Sequence, residues 1–224
     1  MNKHVAYDIG IASLTFFALG TVFAMLIYPG GTNINPDTIG YAFSENFFSD
    51  LGRYKTFANE PKLMSMALFS SSLIFASIGL ILYFLNAPLI FGRTHKKLVK
   101  LGSGLGIVSS LCFAGVALTP WDLYGDMHLI FVKSAFLTFL LTVVLYGIAV
   151  YRSKVAPIYL AMTYGAHALV VIFYLYLLFW GPAADTADGL FIQTVGQKIV
   201  VYSQIFCMLI QTVWARSHCL KSEL

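Results

Sequence analysis

Leu63–Leu85 reads LMSMALFSSSLIFASIGLILYFL, with no Asp, Glu, Lys or Arg anywhere in it. A transmembrane helix needs about 20 consecutive apolar residues to cross the hydrocarbon layer, and this run is long enough. The whole chain agrees with that reading. Hydrophobic residues make up 58% of its 224 residues, charged residues 11%, and the mean hydropathy is +0.78. A soluble domain carries about 25% charged residues to cover its surface. Here the surface must be covered by lipid instead.

Outward from this run, five more qualify: Ile9–Tyr28, Leu101–Thr119, Leu129–Tyr151, Ile158–Trp180 and Phe191–Trp214. Helix-stopping residues stand at their ends, in Pro29-Gly30-Gly31, Asn86 with Pro88, Pro120, and Gly181-Pro182. Tyr28, Trp121, Tyr151, Trp180 and Trp214 fall at the same ends, where amphipathic rings favour the headgroup layer. The first run is too long for a signal peptide and lacks a small-residue cleavage site, so it reads as a retained helix. The expected fold is all-α: one integral membrane domain over residues 1–224, a polytopic bundle of six transmembrane helices. Cys112, Cys207 and Cys219 have no paired spacing, which argues against a disulfide framework or a zinc knuckle.

Charge placement gives the orientation. The net charge of +4 might suggest nucleic acid, but the basic residues sit in short segments between apolar runs. No nucleic-acid partner is expected. Lys3, Arg93, Lys96, Lys97, Lys100, Arg152, Lys154, Arg216 and Lys221 fall on one side of a six-helix chain. The positive-inside rule then places both termini in the cytoplasm of a plasma (inner) membrane protein. His95 and its neighbouring lysines form a basic patch on that side, which serves as a topology signal. The opposite side carries Arg53, Lys55 and Lys62, and most of the chain's acidic residues.

Tyr28–Lys62 is the longest segment between spans. It holds Asp37, Glu45, Asp50 and Glu60, but also Tyr41, Phe43, Phe47, Phe48, Leu51 and Phe57, so it is not composed like disorder. A short amphipathic helix is expected over Asn46–Arg53. Asn46, Ser49, Asp50 and Arg53 would share one face, and Phe43, Phe47 and Leu51 another. The polar stripe would either face water or turn inward over the mouth of the bundle. The segment Thr119–His128 adds Asp122, Asp126 and His128 on the same side.

The run N-F-x-S-D-L-G (Asn46–Gly52), the acidic residue beside proline at Glu60-Pro61, and His128 opening the fourth helix resemble the DRAM/Frag/Sfk group of six-helix membrane proteins. The chain is similar above all to the prokaryotic six-helix family related to that group. It departs from the eukaryotic members in carrying glutamate before proline. The resemblance covers the whole six-helix layout. It implies work connected with membrane lipids and assigns no residue a role.

Ser49, with His128 as base and Asp50 or Asp122 as orienter, contains the residue types of a nucleophilic site, though without a G-x-S-x-G elbow. A metal-bound water near His128, with Asp50, Asp122, Asp126 or His167, is a second catalytic reading; no two histidines stand at i, i+4. The structural alternatives are capping for Ser49 and Asp50, the N-cap of the fourth helix for Asp126, and a bond to a loop carbonyl for His128. Lys133, His167 and Lys198 lie inside spans, where such groups normally face the bundle interior. Lys133 can snorkel outward. Lys198, beside Gln193 and Gln197, is expected to face inward and pair with Asp50 or Asp122. Asp8 reads as an interfacial charge, and Gly102/Gly106 as packing within the bundle.

The first expectation is a protein that binds or organises a lipid or lipid-linked molecule, through Asn46, Asp50, Arg53, Asp122, His128, Lys133 and Lys198. No cofactor or metal is expected on this reading. The alternatives are a membrane-embedded lipid hydrolase or acyltransferase, and a non-catalytic interaction subunit forming a homo-oligomer or binding a membrane protein.

Overall fold

The computed structural model describes residues 3–91, 95–153 and 155–223. Arg93 and Lys154, part of the charge argument, lie outside the described residues. Six α-helices follow in order: α1 Lys3–Leu26, α2 Leu63–Phe91, α3 Lys96–Leu118, α4 Trp121–Tyr151, α5 Ile158–Trp180 and α6 Ala187–Glu223. Among the described residues, these six are long and apolar enough to cross a membrane. Each packs against its neighbours in sequence, and α6 closes the ring against α1. The start of α1 and the end of α6 therefore lie at one end of the bundle, and the segment between α1 and α2 covers the other. These are called below the terminal end and the loop end.

Helix boundaries differ from the apolar runs in ways that hydrogen bonding explains. α2 does not stop at Leu85 but continues through Asn86 and Pro88 to Phe91. Pro88 stands in the last turn, where its missing N–H leaves only one interior bond unmade. The Asn86 side chain donates to the carbonyl of Leu82 at 2.8 Å, staying on the helix rather than turning it off. α4 begins at Trp121, eight residues before its apolar run, because two helical pieces join across Gly125. Gly125 has φ +35° and ψ −101°, a conformation that side chains rarely adopt. Asp126, expected to cap α4, is instead exposed and lies just past this kink. α6 spans 37 residues, about 55 Å at 1.5 Å per residue, and extends beyond Trp214 at the terminal end.

The interior is apolar and aromatic, built around Phe84, Phe139, Tyr83, Tyr146 and Tyr164. Small residues set the helix spacing. A side chain at Gly102 would meet Tyr146, and one at Gly106 would overlap the Phe84 ring at 2.6 Å. The G-x-x-x-G pair thus packs within the bundle. At the terminal end Asp8 is more than an interfacial charge, because it pairs with Arg216 of α6. None of the three cysteines forms a disulfide.

Candidate functional site

The expected short helix between α1 and α2 is present, over fewer residues than Asn46–Arg53. Only Phe48–Gly52 is helical, as a single 3-10 turn. Two side chains compete with an α-helix for the backbone here. Asn46 Oδ1 accepts the N–H of Ala42 at 3.0 Å, and Asp50 Oδ2 accepts that of Phe47 at 2.7 Å. The expected apolar face is reordered as well. Phe48 and Leu51 are buried, whereas Phe43 is half exposed. The polar stripe turns inward, with Asn46 at 0% and Asp50 at 3% exposure.

This turn is fastened to three helices. The N–H of Phe48 donates to Gln197 Oε1 at 2.6 Å, and Lys198 Nζ donates to the carbonyl of Asn46 at 2.5 Å, both on α6. Thr194 donates to the carbonyl of Ser44 at 2.6 Å. On the α2 side, Lys62 Nζ and Ser65 Oγ both donate to the carbonyl of Leu51, at 2.9 and 3.2 Å. On the α4 side, the Asp122 carboxylate accepts the N–H groups of Tyr54 and Lys55, at 2.9 and 2.8 Å. Asn33 adds a bond to the carbonyl of Ala184 between α5 and α6 at 2.8 Å.

Beneath the fastened segment lies a chamber of about 340 Å³. Ser49, Asp50 and Arg53 form its roof; His128 of α4, Tyr174 of α5, and Gln193 and Gln197 of α6 form its walls. A separate, smaller apolar cavity of about 60 Å³ lies next to it, between Leu14, Phe17, Phe69, Phe113 and Phe136. Ser49, Val132 and Gln197 line both. Gln204, one heptad beyond Gln197 on α6, lines the inner chamber, and its Oε1 is buried without a hydrogen-bond partner.

The residues singled out in the sequence divide in two. Asp50, Arg53, His128 and Ser49 line the larger chamber. Asn46, Asp122, Lys133 and Lys198 do not. Asn46, Asp122 and Lys198 hold the roof. Lys198 is inward and 1% exposed, as expected, but its bonds go to the carbonyls of Asn46 and Thr194 instead of to a carboxylate. Lys133 is half-buried, with its ammonium 5.0 Å from the centre of the Phe179 ring. Arg53 does not face Asp50 as an ion pair. Its Nε donates to the carbonyl of Lys55 at 3.1 Å and its guanidinium lies 4.0 Å over Phe57. His128 bonds through Nδ1 to the carbonyl of Thr119 at 2.6 Å, the loop-carbonyl bond expected of it, and its Nε2 is buried without a partner.

Electrostatics follow from burial. Desolvation pushes the Asp50 carboxyl up from its ordinary pKa, against the pull of Arg53 and the Phe47 N–H. Desolvation lowers the Lys62 ammonium from 10.5 to about 7, and Asp50 opposes it. Neither catalytic reading gains an assembled site. Ser49 and His128 share a chamber but no hydrogen bond joins them, and both oxygens of Asp122 are taken by backbone N–H groups. His167 bonds to Ser203 Oγ at 2.9 Å. Among the described residues, no group of three or more His, Cys, Asp or Glu side chains could hold a metal ion.

Tyr174, Trp121 and Gln204 carry no sequence signal that separates them from other interior or boundary residues, and nothing in the sequence marks Gln197 as the partner of the Phe48 N–H. Comparison with protein families, with curated proteins and with solved structures finds no match for this chain. The chain is a polytopic membrane protein.

Proposed function

We propose that this protein binds a membrane lipid, with the headgroup in the 340 Å³ chamber and only the first carbons of an acyl or isoprenoid chain reaching the apolar cavity beside it. The observation that carries the reading is the shared wall of Ser49, Val132 and Gln197 between a polar space and an apolar one. An amphiphile matches that succession, since binding cavities join apolar lining to a few placed polar groups. The resemblance of Asn46–Gly52, Glu60-Pro61 and His128 to the DRAM/Frag/Sfk group supports the same lipid-related reading. The loop end would face the outer leaflet of the plasma membrane. Lys96, Lys97, Lys100, Arg152, Arg216 and Lys221 gather toward the terminal end, which the positive-inside rule assigns to the cytoplasm.

The test is native mass spectrometry of the detergent-purified protein, with extraction and identification of any retained lipid. Val132 is 5% exposed and stands at the junction of the chambers, so Val132→Phe should block passage between them. A lipid retained by the wild type and lost from a folded Val132→Phe variant is the expected result. Equal retention by both, or no lipid in either, would overturn the reading.

A further inference from the structure

We infer that the lipid-facing surface of the seam between α4 and α5 is a docking site for a phospholipid, with the ammonium of Lys133 taking the lipid phosphate. The site is separate from the chamber, because neither Lys133 nor Phe179 lines it, and it stands whatever the chamber binds. Lys133 lies within a span, where a charged group is costly unless something answers it. Among the described residues, no hydrogen bond or ion pair answers this one. Its ammonium rests 5.0 Å from the centre of the Phe179 ring, and a ring face attracts a cation only weakly at an exposed site. Asp122, on the same helix, spends both carboxylate oxygens on the N–H groups of Tyr54 and Lys55.

Depth and polarity both fit a phospholipid. Phe179 stands in the last turn of α5, beside Trp180 at the helix end. An indole 74% exposed at that position belongs to the headgroup layer. The ammonium against Phe179, itself 46% exposed, is therefore at the level of lipid phosphates. Away from this contact the surface is apolar or aromatic. Leu137 and Leu141 follow Lys133 at i+4 and i+8 on α4, and Tyr176, Ile172 and Leu169 precede Phe179 at i−3, i−7 and i−10 on α5; all five are exposed. α4 and α5 are antiparallel neighbours, so both stripes run from the Lys133–Phe179 contact toward the middle of the membrane. A cation at headgroup depth above two apolar stripes repeats the order of a phospholipid, phosphate first and acyl chains after.

The experiment adds phosphatidylglycerol, or a monoglucosyl diacylglycerol of the same acyl chains, to the detergent-purified Val132→Phe variant and reads bound lipid by native mass spectrometry. That variant is already expected to lose the chamber's lipid, so added lipid reports the seam. The expected result is a preference for phosphatidylglycerol of about fivefold, the gain from one basic residue beside an anionic headgroup. Lys133→Gln in the same background should abolish the preference, and Lys133→Arg should keep it. Should Val132→Phe not fold, the same substitutions in the otherwise wild-type chain should lower and keep the preference respectively. Equal binding of the two lipids, or a preference unchanged by Lys133→Gln, would overturn the site. Millimolar inorganic phosphate should not compete; displacement of the lipid by it would assign Lys133 to free phosphate instead. Failure of the chamber reading shows separately, in the lipid carried through purification before any is added.

Discussion

Lys62 shows what a single buried charge does at the junction of roof and bundle. It is 5% exposed, donates to the carbonyl of Leu51, and holds its ammonium 5.0 Å from the centre of the Tyr28 ring. With a folded pKa of about 7 against 10.5 for a free lysine, the folded chain releases this proton long before the unfolded chain does. Between those values the unfolded state binds more protons, so Lys62 makes stability rise with pH over that window. Asp50 acts in the opposite sense, starting from the ordinary carboxylate range. Its raised pKa lets the folded state bind the extra proton, so its contribution falls as pH rises through that pKa and is flat above it. Thermal unfolding in detergent should therefore show a midpoint that rises more steeply between pH 7 and 10 in the wild type than in Lys62→Met; equal slopes would contradict the assignment. In the sequence Lys62 is only one of three basic residues at the loop end. Its burial comes from Leu51 and Tyr28 closing over it, contacts that no local spacing reveals. His128 and Lys198 were easier to read, because a polar group beside a long apolar run must find a partner whatever the fold.

Among the elements, α1 and α2 bring their backbones close together at two glycines. A Cβ at Gly79 would stand 1.8 Å from Ser13 Oγ and 3.2 Å from the Cα of Gly10. One at Gly20 would stand 2.8 Å from the Cβ of Ser72. Ser13 can rotate away from an added methyl, but the backbone of Gly10 cannot. Gly79→Ala should therefore cost about 1–3 kcal/mol, the range for overpacking a filled interior. It should be measured as a lowered denaturation midpoint; an unchanged midpoint would show that the helices can separate at no cost. The six spans were legible because apolar length alone decides them. Their ends were not, because the lipid boundary and the helix boundary are set by different forces: solvation for the first, backbone hydrogen bonding for the second. Trp121–Tyr124 and Ala187–Leu190 are helical outside the apolar runs for that reason. The short helix between α1 and α2 is legible, but its 3-10 form is not, because Asn46 and Asp50 fit a helical stripe and also fit the backbone bonds that they make instead.

For the whole molecule, the closed ring puts both chain ends together and the covering segment at the other end. The Asp8–Arg216 pair that joins α1 to α6 is 41% exposed on each partner, so it contributes at most about 1 kcal/mol. Closure rests on helix packing instead. In a variant lacking its native cysteines, a cysteine at Asp37 should label from outside intact cells and one at Lys97 should not; the reverse pattern would invert the orientation. The ring could be drawn from six spans, but the double chamber could not, since its walls come from residues as distant in sequence as Leu14 and Ile205. The bonds that hold the roof also impose an order in time. Phe48 and Asn46 find their partners in Gln197 and Lys198, 149 and 152 positions later in the chain. At ribosomal speeds of about 5–20 residues per second, that is a delay of roughly 8–30 s during synthesis. Throughout that interval the covering segment waits without its bonds to Gln197 and Lys198, so the roof of the chamber is complete only once the last helix is made.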